Sequence, residues 1–67
     1  MIKYDKLWDT MKEKGITKYT LYKEYHFSKS LIHRLQHNGG VNMHTINTLC
    51  NILECRIEDI ATYFKDE

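Results

Sequence analysis

With 67 residues, 42% hydrophobic, 28% charged and 12% aromatic, the chain has the composition of a folded protein and room for one domain, residues 1–67. That length leaves no room for a separate catalytic lobe, and no apolar run exceeds two residues, so neither a membrane span nor a secretory h-region is expected in these residues. The net charge of +1 hides a division: residues 1–41 carry eight Lys/Arg against four Asp/Glu (+4), and residues 42–67 carry two against five (−3). One end suits phosphates and the other water or a partner, unless the asymmetry is ordinary scatter. Met1 and two unevenly spaced cysteines fit a reduced, cytoplasmic protein.

Helical periodicity and punctuation predict an all-α fold of five short helices. The first runs from Tyr4 or Asp5 to Lys14, with Tyr4, Leu7, Trp8 and Met11 inward and Gly15 as its stop. Ile16 turns inward and Thr17 caps a second helix, Lys18–Tyr25, whose inner side is Leu21, Tyr22 and Tyr25. After the break at His26–Phe27, Ser28 caps a third helix, Lys29–His37, with Ile32 and Leu35 inward. Asn38-Gly39-Gly40 ends it, because glycine and asparagine accept a left-handed backbone. Asn42 caps a fourth helix with Met43, Ile46, Leu49, Cys50 and Leu53 on one face. A fifth, about Glu58–Phe64, has Ile57, Ile60, Ala61 and Phe64 as its apolar side. No heptad persists, so the helices form a globule rather than a coiled coil.

The central pair carries the functional signal. Two helices of about eight residues separated by about three make a helix-turn-helix, here about residues 17–37, in which the second helix enters the DNA major groove. The segment I-T-K-Y-T-L-Y-K-E-Y-H-F-S-K-S-L-I-H-R-L resembles the Cro and phage-repressor (xenobiotic-response-element) type of helix-turn-helix domain. Thr17, Leu21, Phe27, Ser28, Ser30, Ile32, Arg34 and Leu35 fall on that family's pattern. The downstream M-H-T-I-N-T-L-C-N-I-L-E-C-R-I-E-D-I looks like a small-regulator branch of the same family, and the likeness spans about residues 5–64. Two positions depart from it. Tyr22 stands where the family has alanine at a close helix approach, and His26 where it has a glycine with positive φ, a conformation histidine tolerates better than a β-branched residue does.

With Ile32 and Leu35 inward, Ser28, Lys29, Ser30, Leu31, His33 and Arg34 face away from the core. By the resemblance, Lys29 and Ser30 sit at the tip that meets base edges, with Arg34 one turn along. Lysine or arginine donates to guanine, serine is permissive, and Leu31 lies against a thymine methyl; His33 shares this face. The plain alternative is a solvated helix face with a stray leucine. Thr17, Lys18 and Ser28 are natural phosphate contacts, and His37, Asn38 and Gly39 a second clamp. Tyr19 serves either the phosphate backbone or the first helix.

His33 and His37 have a spacing that grips zinc, and Cys50 and Cys55 are five apart. Cys50, however, lies on an apolar face, and both cysteines occupy positions where the resemblance implies small core residues, so no metal or other cofactor is expected. No glycine-rich phosphate loop, His-Glu-x-x-His or nucleophile elbow is present, and an enzyme is not expected. The resemblance implies a cofactor-free regulator, a repressor on operator DNA that binds as a homodimer to double-stranded sites without a small-molecule ligand or a membrane. The acidic C-terminal part, with Ile57, Ile60, Tyr63 and Phe64, is the expected dimer surface. The rivals are an interaction module (antirepressor or adaptor) that keeps the fold without DNA, and the antitoxin of a toxin–antitoxin pair.

Overall fold

A computed structural model describes all residues, 1–67, and builds them into β1 (Ile2–Lys3), α1 (Asp5–Lys14), α2 (Lys18–Glu24), α3 (Lys29–Gln36), α4 (Met43–Leu53), one 3-10 turn (Ile57–Asp59) and β2 (Thr62–Tyr63). Three helix starts follow from one device. The side chains of Thr17, Ser28 and Asn42 accept the N–H groups of Thr20 (3.0 Å), Leu31 (3.0 Å) and Thr45 (2.8 Å), donors that a helix leaves without partners.

Helix ends are closed by left-handed residues. After α1, Gly15 (φ 71°) lets Ile16 N–H reach Met11 O at 2.9 Å. After α4, Glu54 (φ 49°) lets Cys55 N–H reach Cys50 O at 3.2 Å. After α3 the left-handed residue is Asn38 (φ 56°), not a glycine. Gly39 is needed there for a different reason. Its N–H donates to Arg34 O at 2.7 Å, and a Cβ on it would stand 3.3 Å from both that oxygen and Arg34 Cβ.

The core is one cluster in which Leu7, Leu21, Leu35, Leu49, Leu53 and Ile60 are fully buried, joined by Tyr4, Met11, Phe27, Ile32 and Ile46. Each such aliphatic side chain contributes about 1.5–3 kcal/mol. The one buried polar residue, Thr10, donates its hydroxyl to Asp59 O at 2.7 Å. No helix is long and apolar enough to cross a membrane.

The expected fifth helix does not form, and the fold is therefore mostly helical rather than all-α. At Ile57–Asp59 the chain makes a single 3-10 turn, in which Asp59 accepts Arg56 N–H at 3.1 Å. The Asp59 carbonyl, which an α-helix would offer to Tyr63 N–H, is taken by Thr10. Thr62–Tyr63 then pair antiparallel with Ile2–Lys3, in the register Ile2↔Tyr63 and Lys3↔Thr62. The β-branched Thr62 suits that ending. Other expectations of an inward side chain fail as well. Tyr22 and Tyr25 are each 42% exposed, since Leu21 and Phe27 fill the space beneath α2. Met43 is 67% exposed because the start of α4, Asn42–His44, overhangs the core edge. Trp8 is half-buried against the cluster rather than inside it.

Candidate nucleic-acid interface

The outer face of the molecule at α2 and α3 is built by the turn between them. His26 adopts φ 59° without being glycine, and the next residue, Phe27, is buried while its N–H donates to Leu21 O at 3.0 Å. That bond and the Ser28 cap fix α3 against α2. Ile32 and Leu35 face the core, and Lys29, Ser30, His33, Arg34 and His37 are exposed. Leu31 is half-buried and packs on the core cluster, so only part of it is open to a partner.

The expected phosphate contacts are placed less uniformly. Thr17 and Lys18 are exposed at the start of α2, where the Thr17 hydroxyl also meets that of Thr20 at 2.9 Å. The Lys18 ammonium lies 5.0 Å from the centre of the Trp8 ring, and Tyr19 is exposed rather than packed on α1. Ser28 is exposed but its oxygen already serves as the α3 cap. His37 is exposed, its ring 4.2 Å from that of His33. Asn38 is half-buried and its Oδ1 accepts Tyr4 N–H at 2.8 Å, which ties the end of α3 to the start of α1.

The electrostatics of this face are one-sided. Between Thr17 and Asn38 the cations are Lys18, Lys23, Lys29 and Arg34 and the single acid is Glu24. None of the four cations is in an ion pair, the two salt bridges being Met1 amine–Asp66 and Arg56–Glu58. Lys29 is instead held 5.3 Å from the centre of the Tyr22 ring. An open groove of about 410 Å³ runs between Tyr22, Lys23, His26, Phe27 and Ser28. A second, of about 330 Å³, reaches from His26 and Ser28 to His44, Thr45 and Thr48. Sequence reasoning did not single out Lys23 or His44, which border these grooves, or the Tyr22–Lys29 contact. Its one available signal was the tyrosine at a position of close helix approach.

The profile of the Cro/C1-type helix-turn-helix DNA-binding domain matches residues 6–66. The chain belongs to that family. Among solved structures, a crystal structure of the transcriptional regulator VanUg is similar, with a TM-score of 0.86 and 26% identity over 97% of this chain and 87% of that one. No curated protein matches the sequence. As a Cro/C1-type domain the chain keeps the helix-turn-helix despite its two departures, because His26 takes the left-handed turn and Tyr22 stays outside the core.

Away from this Cro/C1-type face, Cys50 and Cys55 are free and half-buried. Burial, then the neighbouring Cys50 and Asp59, push the Cys55 thiol up from its ordinary pKa. The two cysteines and the His33–His37 pair do not meet, and no three His, Cys, Asp or Glu side chains gather where they could hold a metal ion. At the C-terminal end Ile57, Tyr63 and Phe64 are exposed. Ile60 is not: it is fully buried in the protomer's own core and offers nothing to a partner, which corrects its expected place on a dimer surface.

Proposed function

We propose that the chain is a sequence-specific, DNA-binding transcriptional regulator, a repressor acting on operator DNA as one domain over residues 1–67. The observation that carries this reading is the set of exposed, unpaired cations on the outer face of a Cro/C1-type helix-turn-helix. Cations without carboxylate partners are free to replace the counterions of a duplex. In this reading α3 enters the major groove, and Lys29, Ser30 and Arg34 meet base edges, with His33 and the exposed part of Leu31 beside them. Thr17, Lys18, Ser28 and His37 lie along the phosphates, while Asn38 contributes its amide NH₂, its oxygen being committed to Tyr4. Catalysis, a cofactor and a small-molecule ligand have no part in it.

The footprint of one copy is small, and a homodimer doubles it on a palindromic site. Ile57, Tyr63 and Phe64, exposed in the C-terminal part with Tyr63 in β2, are the surface for that pairing. The test is a random-site selection with the purified protein, followed by titration of the selected and a scrambled duplex and sedimentation of the complex. Enrichment of a palindrome bound by two copies supports the reading. A folded protein that enriches no sequence at low salt favours an interaction module instead, and reporter expression from the selected site distinguishes repression from activation.

A further inference from the structure

Tyr22 and Lys29 belong to different helices, yet the Lys29 ammonium lies 5.3 Å from the centre of the Tyr22 ring. The ring takes no part in the core. It is 42% exposed and is neither in the core cluster nor among the half-buried apolar side chains packed against it. Lys29 in turn has no carboxylate partner. The face of an aromatic ring attracts a cation, so Tyr22 is the group that restrains this side chain.

Both ends of the contact are mounted rigidly. The Phe27 N–H to Leu21 O bond holds the turn after Tyr22, and the Ser28 oxygen capping Leu31 N–H fixes the backbone on which Lys29 is the first helical residue. What remains free is the flexible four-carbon stem of Lys29, whose rotamer freedom is lost when the ammonium settles on one base edge. A ring that narrows that freedom beforehand lowers the loss on binding, by preorganisation.

We infer that Tyr22 is a positioning residue for base readout, its ring holding the Lys29 ammonium at the tip of the reading helix. The inference rests on the DNA-binding reading above and adds to it a specificity role for a residue outside α3. It accounts for a tyrosine at a position where the resemblance implied alanine: the bulk sits at the rim and steers a neighbour.

The test uses the full chain, the duplex recovered by random-site selection with the wild type, its single-base variants and a scrambled duplex, all at one salt concentration. Tyr22→Leu keeps apolar bulk and removes the ring; Tyr22→Phe keeps the ring. Tyr22→Leu weakens binding to the selected duplex by about two- to five-fold, the size of an exposed cation–π contact, with a smaller loss on scrambled DNA. Discrimination falls at the same base pair to which Lys29→Ala is blind, and Tyr22→Leu costs nothing further in the Lys29→Ala background. Tyr22→Phe binds as the wild type does. An equal loss from Tyr22→Leu with and without Lys29, or a Tyr22→Phe variant as weak as Tyr22→Leu, overturns the inference. A second measurement needs no DNA: the ring shifts the Lys29 side-chain methylene resonances upfield in the free protein, and the shift vanishes in Tyr22→Leu. Its absence from the wild type, with a duplex recovered, overturns this inference alone. Its presence in a protein that selects no duplex leaves the contact real and overturns both the DNA-binding reading and the role in readout.

Discussion

Asn38 Oδ1 accepts the backbone N–H of Tyr4 at 2.8 Å, so the residue that terminates α3 also anchors the entry to α1. Asn38 performs two tasks there, since its backbone is also left-handed at φ 56°. Two variants separate them. Asn38→Gly keeps the conformation and strands the partly buried Tyr4 N–H, at a cost of about 1–3 kcal/mol. Asn38→Ala adds the strain of a left-handed alanine, about 1–2 kcal/mol more. Urea denaturation measures both, and a glycine variant as stable as the wild type would show that water replaces the side chain.

Leu49 is fully buried on the inner face of α4. Leu49→Ala is expected to cost about 2–5 kcal/mol, which in so small a domain leaves much of the chain unfolded at ambient temperature. Melting followed by circular dichroism reads this directly, and an unchanged midpoint would mean that α4 faces the core differently.

Lys18 tests phosphate anchoring. Its replacement by alanine weakens binding to every duplex alike and lowers the slope of log affinity against log salt by about one unit. The ammonium above Trp8 is exposed and unpaired, so its loss leaves the fold intact. A titration series with an unaltered slope would remove Lys18 from the interface.

Lys29 and Arg34 test sequence readout. Alanine at either position is expected to cost about 1–3 kcal/mol on the selected site and less on scrambled DNA. Ser30→Ala changes the preferred base at one position with little effect on affinity. Parallel binding titrations decide the matter, equal losses on both duplexes demoting the residues to phosphate contacts.

The cysteines give a prediction in pH. Burial raises the Cys55 pKa, so the reactive thiolate is scarcer in the folded protein than in the unfolded one at any pH below that value. Alkylation of Cys55 by iodoacetamide at pH 8 is therefore slower in native protein than in urea, and the difference narrows as the pH rises past the folded pKa. Mass spectrometry of the modified peptide checks it, and native Cys55 reacting at the unfolded rate would contradict its burial.

Much of the geometry of the candidate site could be read in advance because its determinants are local. Thr17, Ser28 and Asn42 each bind an amide three residues ahead, which a linear pattern captures. Ile32 and Leu35 set the inner face of α3, and with it the exposure of Lys29, Ser30, His33 and Arg34. The C-terminal part was misread for the opposite reason. Ile57, Ile60, Ala61 and Phe64 have helical spacing, but Thr62–Tyr63 pair with Ile2–Lys3 and the Asp59 carbonyl accepts from Thr10, 49 residues before it, contacts that spacing along the chain does not show. Spacing alone likewise could not tell that Tyr22 and Tyr25 stay outside while Phe27 goes in, because that choice belongs to the packing of α2 on a surface made by other segments.

The pairing of Ile2 with Tyr63 has a consequence for the order in which the chain organises itself. The helices close over a few residues each, on local contacts that form quickly. The two strands must instead bring together segments at opposite ends of the chain, and so bear the entropy of the largest loop in the molecule for a handful of hydrogen bonds. The ribbon is therefore expected to form after the helices and to open before them, its amide hydrogens exchanging faster than those of the helices that carry Leu35 and Leu49.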